Sequence, residues 1–227
     1  MAAHALDRPV WNSLISHRAP FALGEGMARR FGPQYGPLTG AIDASPESQA
    51  ALAALPSYEG GLWMLEADPV AAPPGMAVAQ EAVGTQMVAD RLIDADSDLA
   101  WINLTDADAP EMLALATLTK PGPFAAETHR LGQFIGVKQD GLLVAMAGER
   151  MRLPGFTEVS GVCTHPDHRG KGYAAALMRA VMARIITTGE TPFLHAYASN
   201  TGAIALYETL GFRVRRRMAV TVLVKAA

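Results

Sequence analysis

The stretch of this 227-residue chain with the most chemical content is Val162-Cys163-Thr164-His165-Pro166-Asp167-His168-Arg169-Gly170-Lys171-Gly172-Tyr173-Ala174. A strand-like run ends in a loop carrying Arg-Gly-Lys-Gly-Tyr-Ala, and an amphipathic helix pattern begins at once. Glycine lets the backbone turn sharply and approach a ligand with no Cβ in the way. The free N–H groups of the first helical turn converge on one spot and, with the helix dipole, form an anion site. Arg169 and Lys171 add positive charge beside it. Together Arg169, Gly170, Lys171, Gly172, Tyr173 and Ala174 spell a pyrophosphate cradle. A Walker loop would place Ser or Thr after its Gly-Lys to hold magnesium, and here Gly172 and Tyr173 follow instead. The dinucleotide fingerprint matches only in part, because no acidic residue sits suitably near the end of a following strand.

Other residues bear chemistry with a bland alternative beside it. Asn200 heads a helical segment and suits an N-cap. Tyr207 shares a stripe with Ile204 and Leu210, where an aromatic packs against a core. Glu158 lies on one strand face with Ser160 and Val162. His165 and His168 have His-x-x-His spacing, but no third or fourth ligand is near, so no metal is expected. Cys163, the one cysteine, excludes an intrachain disulfide and reads as apolar packing rather than a nucleophile. His195, mid-strand among Phe193, Leu194 and Tyr197, reads first as a hydrogen-bonded core histidine and second as a substrate-side group.

These residues need elements to hold them. From Leu99 onward the pattern gives a strand over Leu99–Leu104, an N-cap at Thr105, and a helix with Met112, Leu115, Ala116 and Thr119 in phase. A second short helix is expected over Ala125–Leu131. A hairpin of Phe134–Val137 and Leu142–Ala147 turns at Asp140-Gly141. A strand over Thr157–Thr164 leads to a helix whose stripe is Ala174, Leu177, Met178, Val181 and Ile185. Pro192–Ala198 is a strand, Ile204–Leu210 a short helix and Phe212–Val224 a closing strand. Residues 1–95 are richer in Ala, Gly and Pro and weaker in period. Short strands at Leu62–Leu65 and Met76–Val78, and a helix carrying Trp11, Leu14 and Ile15, are all they offer. The Asp94–Asp98 cluster reads as a linker, which divides the chain into 1–95 and 96–227. The fold class is α/β, with a mixed sheet and helices on its faces.

Composition narrows the partners. Hydrophobic residues make up 50% and charged residues 18%, which is globular composition. A net charge of −3 argues against a broad nucleic-acid surface, even with the run Arg213, Arg215, Arg216 and Arg217 near the C-terminus. No apolar run is long enough to span a membrane, and no targeting segment is visible. The cytoplasm is the expected compartment.

The order Arg-x-x-Gly-x-Ala, helix, strand and then Asn200-Thr201-Gly202-Ala203-Ile204-Ala205-Leu206-Tyr207-Glu208-Thr209-Leu210-Gly211-Phe212 resembles the GCN5-related N-acetyltransferase (GNAT) superfamily. Arg169–Ala174 is similar to its pyrophosphate signature, and Asn200–Phe212 to its second acyl-CoA motif. Val-Cys-Thr-His-Pro-Asp-His-Arg-Gly resembles the FR47-like branch. The resemblance covers roughly residues 99–224 and implies a parallel strand pair, Thr157–Thr164 and Pro192–Ala198, that splays into a wedge. Pantetheine would pair there with Val162, Cys163 and Thr164, with Asn200 as a side-chain contact. The Arg213–Arg217 run would be solvated or close to the CoA 3′-phosphate.

The implied activity is transfer of an acetyl group from acetyl-CoA, as co-substrate, directly to a primary amine. Tyr207 would protonate the leaving thiolate, and Glu158 or a water chain would take the amine proton. The alternative is a catalytically silent acyl-CoA-binding sensor or interaction module. Residues 1–95 would be an accessory or degenerate small domain that walls the acceptor site. The partners expected are acetyl-CoA and an amine, with no nucleic acid and no membrane; a homodimer is compatible with the sequence.

Overall fold

The computed structural model describes residues 4–58, 60–93 and 99–226. The boundary expected between residues 95 and 96, and the Asp94–Asp98 cluster that suggested it, lie outside the described residues. In chain order the strands are β1 (Ala22–Leu23), β2 (Ala28–Phe31), β3 (Leu38–Ala41), β4 (Leu62–Glu66), β5 (Met76–Val88), β6 (Ile102–Leu104), β7 (Phe134–Gln139), β8 (Leu142–Leu153), β9 (Phe156–Thr164), β10 (Thr191–Tyr197) and β11 (Arg213–Lys225). The helices are α1 (Pro9–Leu14), α2 (Pro46–Ala54), α3 (Ala109–Thr119), α4 (Tyr173–Thr187) and α5 (Thr201–Thr209).

Among the described residues the strands form one mixed sheet in the order β1-β2-β3-β4-β11-β5-β10-β9-β8-β7-β6. Strands from both halves of the chain are interleaved. β5 sits between β10 and β11, antiparallel to each, and β4 pairs with the other edge of β11. The sequence pattern suggests a strand only at Met76–Val78, yet β5 runs on to Val88. Its middle, Ala79-Gln80-Glu81-Ala82, has no strand character of its own and is straightened by pairing with β11.

Helices cover both faces. Adjacent residues of β10 show the division, because side chains alternate along a strand. Leu194 joins a core with Leu177, Met178, Val181 and Met182 of α4, whereas Phe193 joins one with Val10 and Leu14 of α1. Met112 and Leu115 of α3 pack with Met146 and Cys163 in a further cluster. The β7–β8 hairpin turns at Asp140 (φ 51°) and Gly141 (φ 82°), the left-handed pair that a tight hairpin needs. Three expected elements shorten. Residues 99–104 contribute only β6, Ala125–Leu131 yields a 3-10 turn over Thr128–Leu131, and α1 stops at Leu14 so that Ile15 is exposed.

The feature that makes room for chemistry lies between β9 and β10. These parallel strands pair only at Phe156↔Thr191, Thr157↔Pro192 and Glu158↔Phe193, and then part. The departure has a local cause. Against β8, β9 carries one extra residue between Ser160 and Cys163, a bulge centred on Gly161 at φ 63°. A bulge bends its strand and increases its twist. A Cβ at Gly161 would lie 2.7 Å from the Phe134 ring as well as being strained, so glycine is required on two counts.

Candidate active site

A cavity of about 590 Å³ opens where the strands part. Its lining includes Val162, Cys163 and Thr164 of β9, the whole Arg169–Ala174 turn, and Asn200. Every residue that the sequence assigns to acyl-CoA binding therefore faces one space. Tyr207 and Leu206 of α5 complete it, together with His168 and the Thr119-Lys120-Pro121 end of α3. Lys120 was not anticipated. It ends α3 in the left-handed conformation (φ 50°), a signal invisible in a residue of ordinary helix propensity.

The turn fits a phosphate-bearing ligand. Gly170 and Gly172 have φ of 76° and 78°, and nothing lies within 4 Å of where a Cβ would stand. Backbone conformation therefore selects glycine here, and the space outside the turn is free. Gly172 is the N-cap of α4 and no side chain caps that end, so the first N–H groups are left to an outside acceptor. At the mouth of the wedge, Thr164 Oγ1 is buried with no hydrogen-bond partner. A buried hydroxyl without a partner is costly, and a polar ligand in the cavity would satisfy it. Asn200 caps α5, with its Oδ1 accepting from the Ala203 N–H at 3.2 Å.

Tyr207 is packed beside Phe212 with ring centroids 6.2 Å apart, and it also lines the cavity. Burial raises its phenol above the ordinary tyrosine value, which keeps the proton on at neutral pH. Cys163 is buried and its thiol is pushed up to about 11 by desolvation, so it is not poised as a nucleophile. His165 caps the short turn over Pro166–His168 and meets His168 edge to face at 5.7 Å. No group of three or more potential metal ligands stands together among the described residues.

Glu158 departs from the role expected of it. Its carboxylate is 1% exposed and lines neither this cavity nor the one described next. Arg150 grips it with both forks (Nε to Oε2 2.9 Å, Nη2 to Oε1 3.1 Å), and the Met151 N–H and His195 Nδ1 are also bonded to it. Burial alone would raise its pKa, but the Arg150 charge and the hydrogen bonds from His195 and Arg150 outweigh that and hold it at about 2. A carboxylate so held does not take a proton from an amine near neutrality. A second bulge explains the grip. β8 has an extra residue between Glu149 and Arg152, which turns both the Arg150 side chain and the Met151 N–H toward Glu158.

Of the two expectations for the arginine run, solvation holds for Arg213 and Arg217. None of its four residues lines the wedge cavity. Arg215 and Arg216 pair with Asp7 and tie the N-terminal segment to β11, Arg213 pairs with Asp90, and Arg213 and Arg217 are exposed.

A smaller cavity of about 80 Å³ adjoins the first across the loop after α3, with Pro121 common to both linings. It draws on Leu38, Trp63 and Leu65 from the N-terminal half, and on Arg150, His195 and Tyr197 from the C-terminal half. His195, read from sequence chiefly as a core residue, is at once buried in a hydrogen-bond network and part of this wall.

The chain aligns over 99% of its length, and 100% of the other chain, with a GNAT-family structure from Novosphingobium aromaticivorans DSM 12444, at 49% identity and a TM-score of 0.92. The chain belongs to the GNAT family. It is an acyltransferase by that membership, and its splayed β9–β10 pair is the GNAT wedge. A family model described as FR47-like protein matches residues 134–221, which include the cradle turn and Asn200–Phe212. A GCN5-related N-acetyltransferase from Kribbella flavida shares the fold over 97% of this chain and 96% of its own, with a TM-score of 0.64 at 15% identity. No curated protein matches the chain.

Proposed function

We propose that this GNAT protein is an acetyl-CoA-dependent N-acetyltransferase that acts on a primary amine by direct transfer. The observation that carries the reading is the convergence of the uncapped α4 turn, the β9 edge at Val162–Thr164 and Tyr207 on one cavity, beside a second cavity that shares Pro121 in its lining. The thioester supplies an activated acetyl group. The α4 N–H groups and Arg169 would hold the diphosphate, and the unpaired β9 edge would hold the pantetheine chain. A strand N–H near the bulge is suited to stabilise charge developing on the carbonyl oxygen. Tyr207 would return a proton to the departing thiolate, a role for which a buried, protonated phenol is suited. With Glu158 locked by Arg150, water is left as the route for the amine proton. The small cavity would receive the acceptor, and its mainly apolar wall favours an amine carried on a compact apolar body.

A thiol-release assay with acetyl-CoA and a panel of amines tests this reading. Turnover with at least one small apolar amine is expected, and Tyr207→Phe should lower kcat about 100-fold or more with acetyl-CoA affinity unchanged. Tight acyl-CoA binding without turnover on any amine would instead identify a silent acyl-CoA sensor.

A further inference from the structure

Gln86 of β5 is fully buried, and both ends of its side chain are engaged. Its Oε1 accepts from Arg215 Nη1 at 2.7 Å. Its Nε2 lies 2.9 Å from the Leu6 carbonyl oxygen and 2.9 Å from His195 Nε2. Arginine only donates and a carbonyl only accepts, so these two contacts fix which end of the amide is oxygen and which is nitrogen. The amide therefore donates to His195 Nε2, and the imidazole carries its hydrogen on Nδ1, which stands 3.0 Å from Glu158 Oε1. Glu158 is held by Arg150, and Arg215 by Asp7 at 2.7 Å. The row Asp7, Arg215, Gln86, His195, Glu158, Arg150 thus alternates charge or donor sense without a mismatch. It runs from Asp7 to the small cavity, whose wall includes His195 and Arg150 but not Glu158 between them.

Strand register produces this row. Gln86 is opposite His195 in the β5–β10 ladder. In the β5–β11 ladder the register shifts between Val214 and Arg216, so Arg215 is an extra residue free to turn onto Gln86.

We propose that Gln86 is a positioning residue for the acceptor side: clamped by Leu6 and Arg215, it holds the His195 ring in its Nδ1–H tautomer, so that an uncharged imidazole lines the cavity that receives the amine. This rests on reading that cavity as the acceptor site. A proton on Nε2 would set a donor against the Gln86 amide. Turning the amide over would set its nitrogen against Arg215 and its oxygen against the Leu6 carbonyl. An imidazolium at this wall would repel the ammonium form of an incoming substrate, so the clamp favours acceptor binding. The charged groups around the ring are Glu158, Arg150 and, through Gln86, Arg215 and Asp7.

The test uses the full chain with ¹⁵N-labelled histidine, alongside amine kinetics from pH 6 to 9. In the parent, the His195 ring should show the neutral Nδ1–H signature throughout. In Gln86→Leu the ring should gain a proton toward pH 6, with KM for the amine rising several-fold at pH 6, little at pH 9, and kcat nearly unchanged. Arg215→Met, which removes one of the two clamps on the amide and leaves the Leu6 contact, should show the same pattern to a smaller extent and serves if Gln86→Leu does not fold. Unchanged ring spectra and pH-independent KM ratios in a folded variant would overturn the proposal. A parent with the expected ring signature but no amine turnover would overturn the acceptor reading while leaving the clamp standing.

Discussion

The two cavities share Pro121 in their linings but are built in opposite ways. The wedge cavity is made almost wholly from local sequence. One turn, one strand edge and one short helix within residues 162–207 supply it, together with the end of α3. Its binding groups are largely backbone, freed by glycine, by an uncapped helix and by a bulge. The small cavity is assembled from β3, β4, β5, β8, β10, β11 and the loop after α3, and two of its polar side chains, Arg150 and His195, are locked in a buried network. Backbone donors suit a ligand common to a whole family, because they persist through changes of side chain. A wall gathered from distant strands can vary at each position, which suits the partner that differs between members.

The contrast can be broken by substitution, and the largest effect belongs to the networked side. Arg150→Leu would strand the buried Glu158 charge and should cost about 3–5 kcal/mol in chemical denaturation. Lys171→Ala, on the exposed cradle turn, should leave stability unchanged. Equal stability of the two variants would show that the network carries no special weight. Next, Arg169→Glu puts a negative charge at the diphosphate position. Calorimetric affinity for CoA should fall about 100-fold with the fold intact. Unchanged affinity would remove the cradle.

A gentler change separates the two ligands. Trp63→Ala, in the N-terminal half, should raise KM for the amine several-fold and leave KM for acetyl-CoA alone. Parallel changes in both constants would mean that the cavities are not functionally distinct.

The smallest effect concerns Glu66, which ends β4 beside Arg8 and is pushed up to about 8, mainly by burial. A folded-state pKa above the unfolded value means the folded chain binds this proton more tightly. That stability is full below the unfolded value near 4.5 and is lost as pH rises through about 8. Glu66→Gln should therefore raise Tm by a few degrees at pH 9 and little at pH 5. A pH-independent change would assign the effect to packing alone.

How far the sequence could be read follows the same division. The α4 stripe, the Asp140-Gly141 hairpin, the Asn200 cap and the cradle are each spelled by residues within a few positions of one another. Most of the wedge cavity lining was legible too, because it lies on contiguous segments within residues 162–207, whereas the Lys120 end of α3 was not. Glu158 was misread because strand alternation gives the face of a carboxylate and says nothing of an arginine delivered by a bulge in the next strand. β5 was mostly missed because Ala79–Ala82 acquires its conformation from β11. The inward pairing of Arg215 and Arg216 was not legible because their partner, Asp7, lies at the other end of the chain.

From its own residues, the chain determines the local devices: which turns go left-handed, where helices begin, and where backbone N–H groups are left free for an anion. Periodicity and glycine act over a few residues, so they are written in order along the chain. Only the tertiary structure decides that β5 is inserted between β10 and β11, that Gln86 thereby faces His195, and that Glu158 is the ion-pair partner of Arg150. Those outcomes depend on strand order and register, which the hydrogen-bonding of distant segments sets when the sheet assembles.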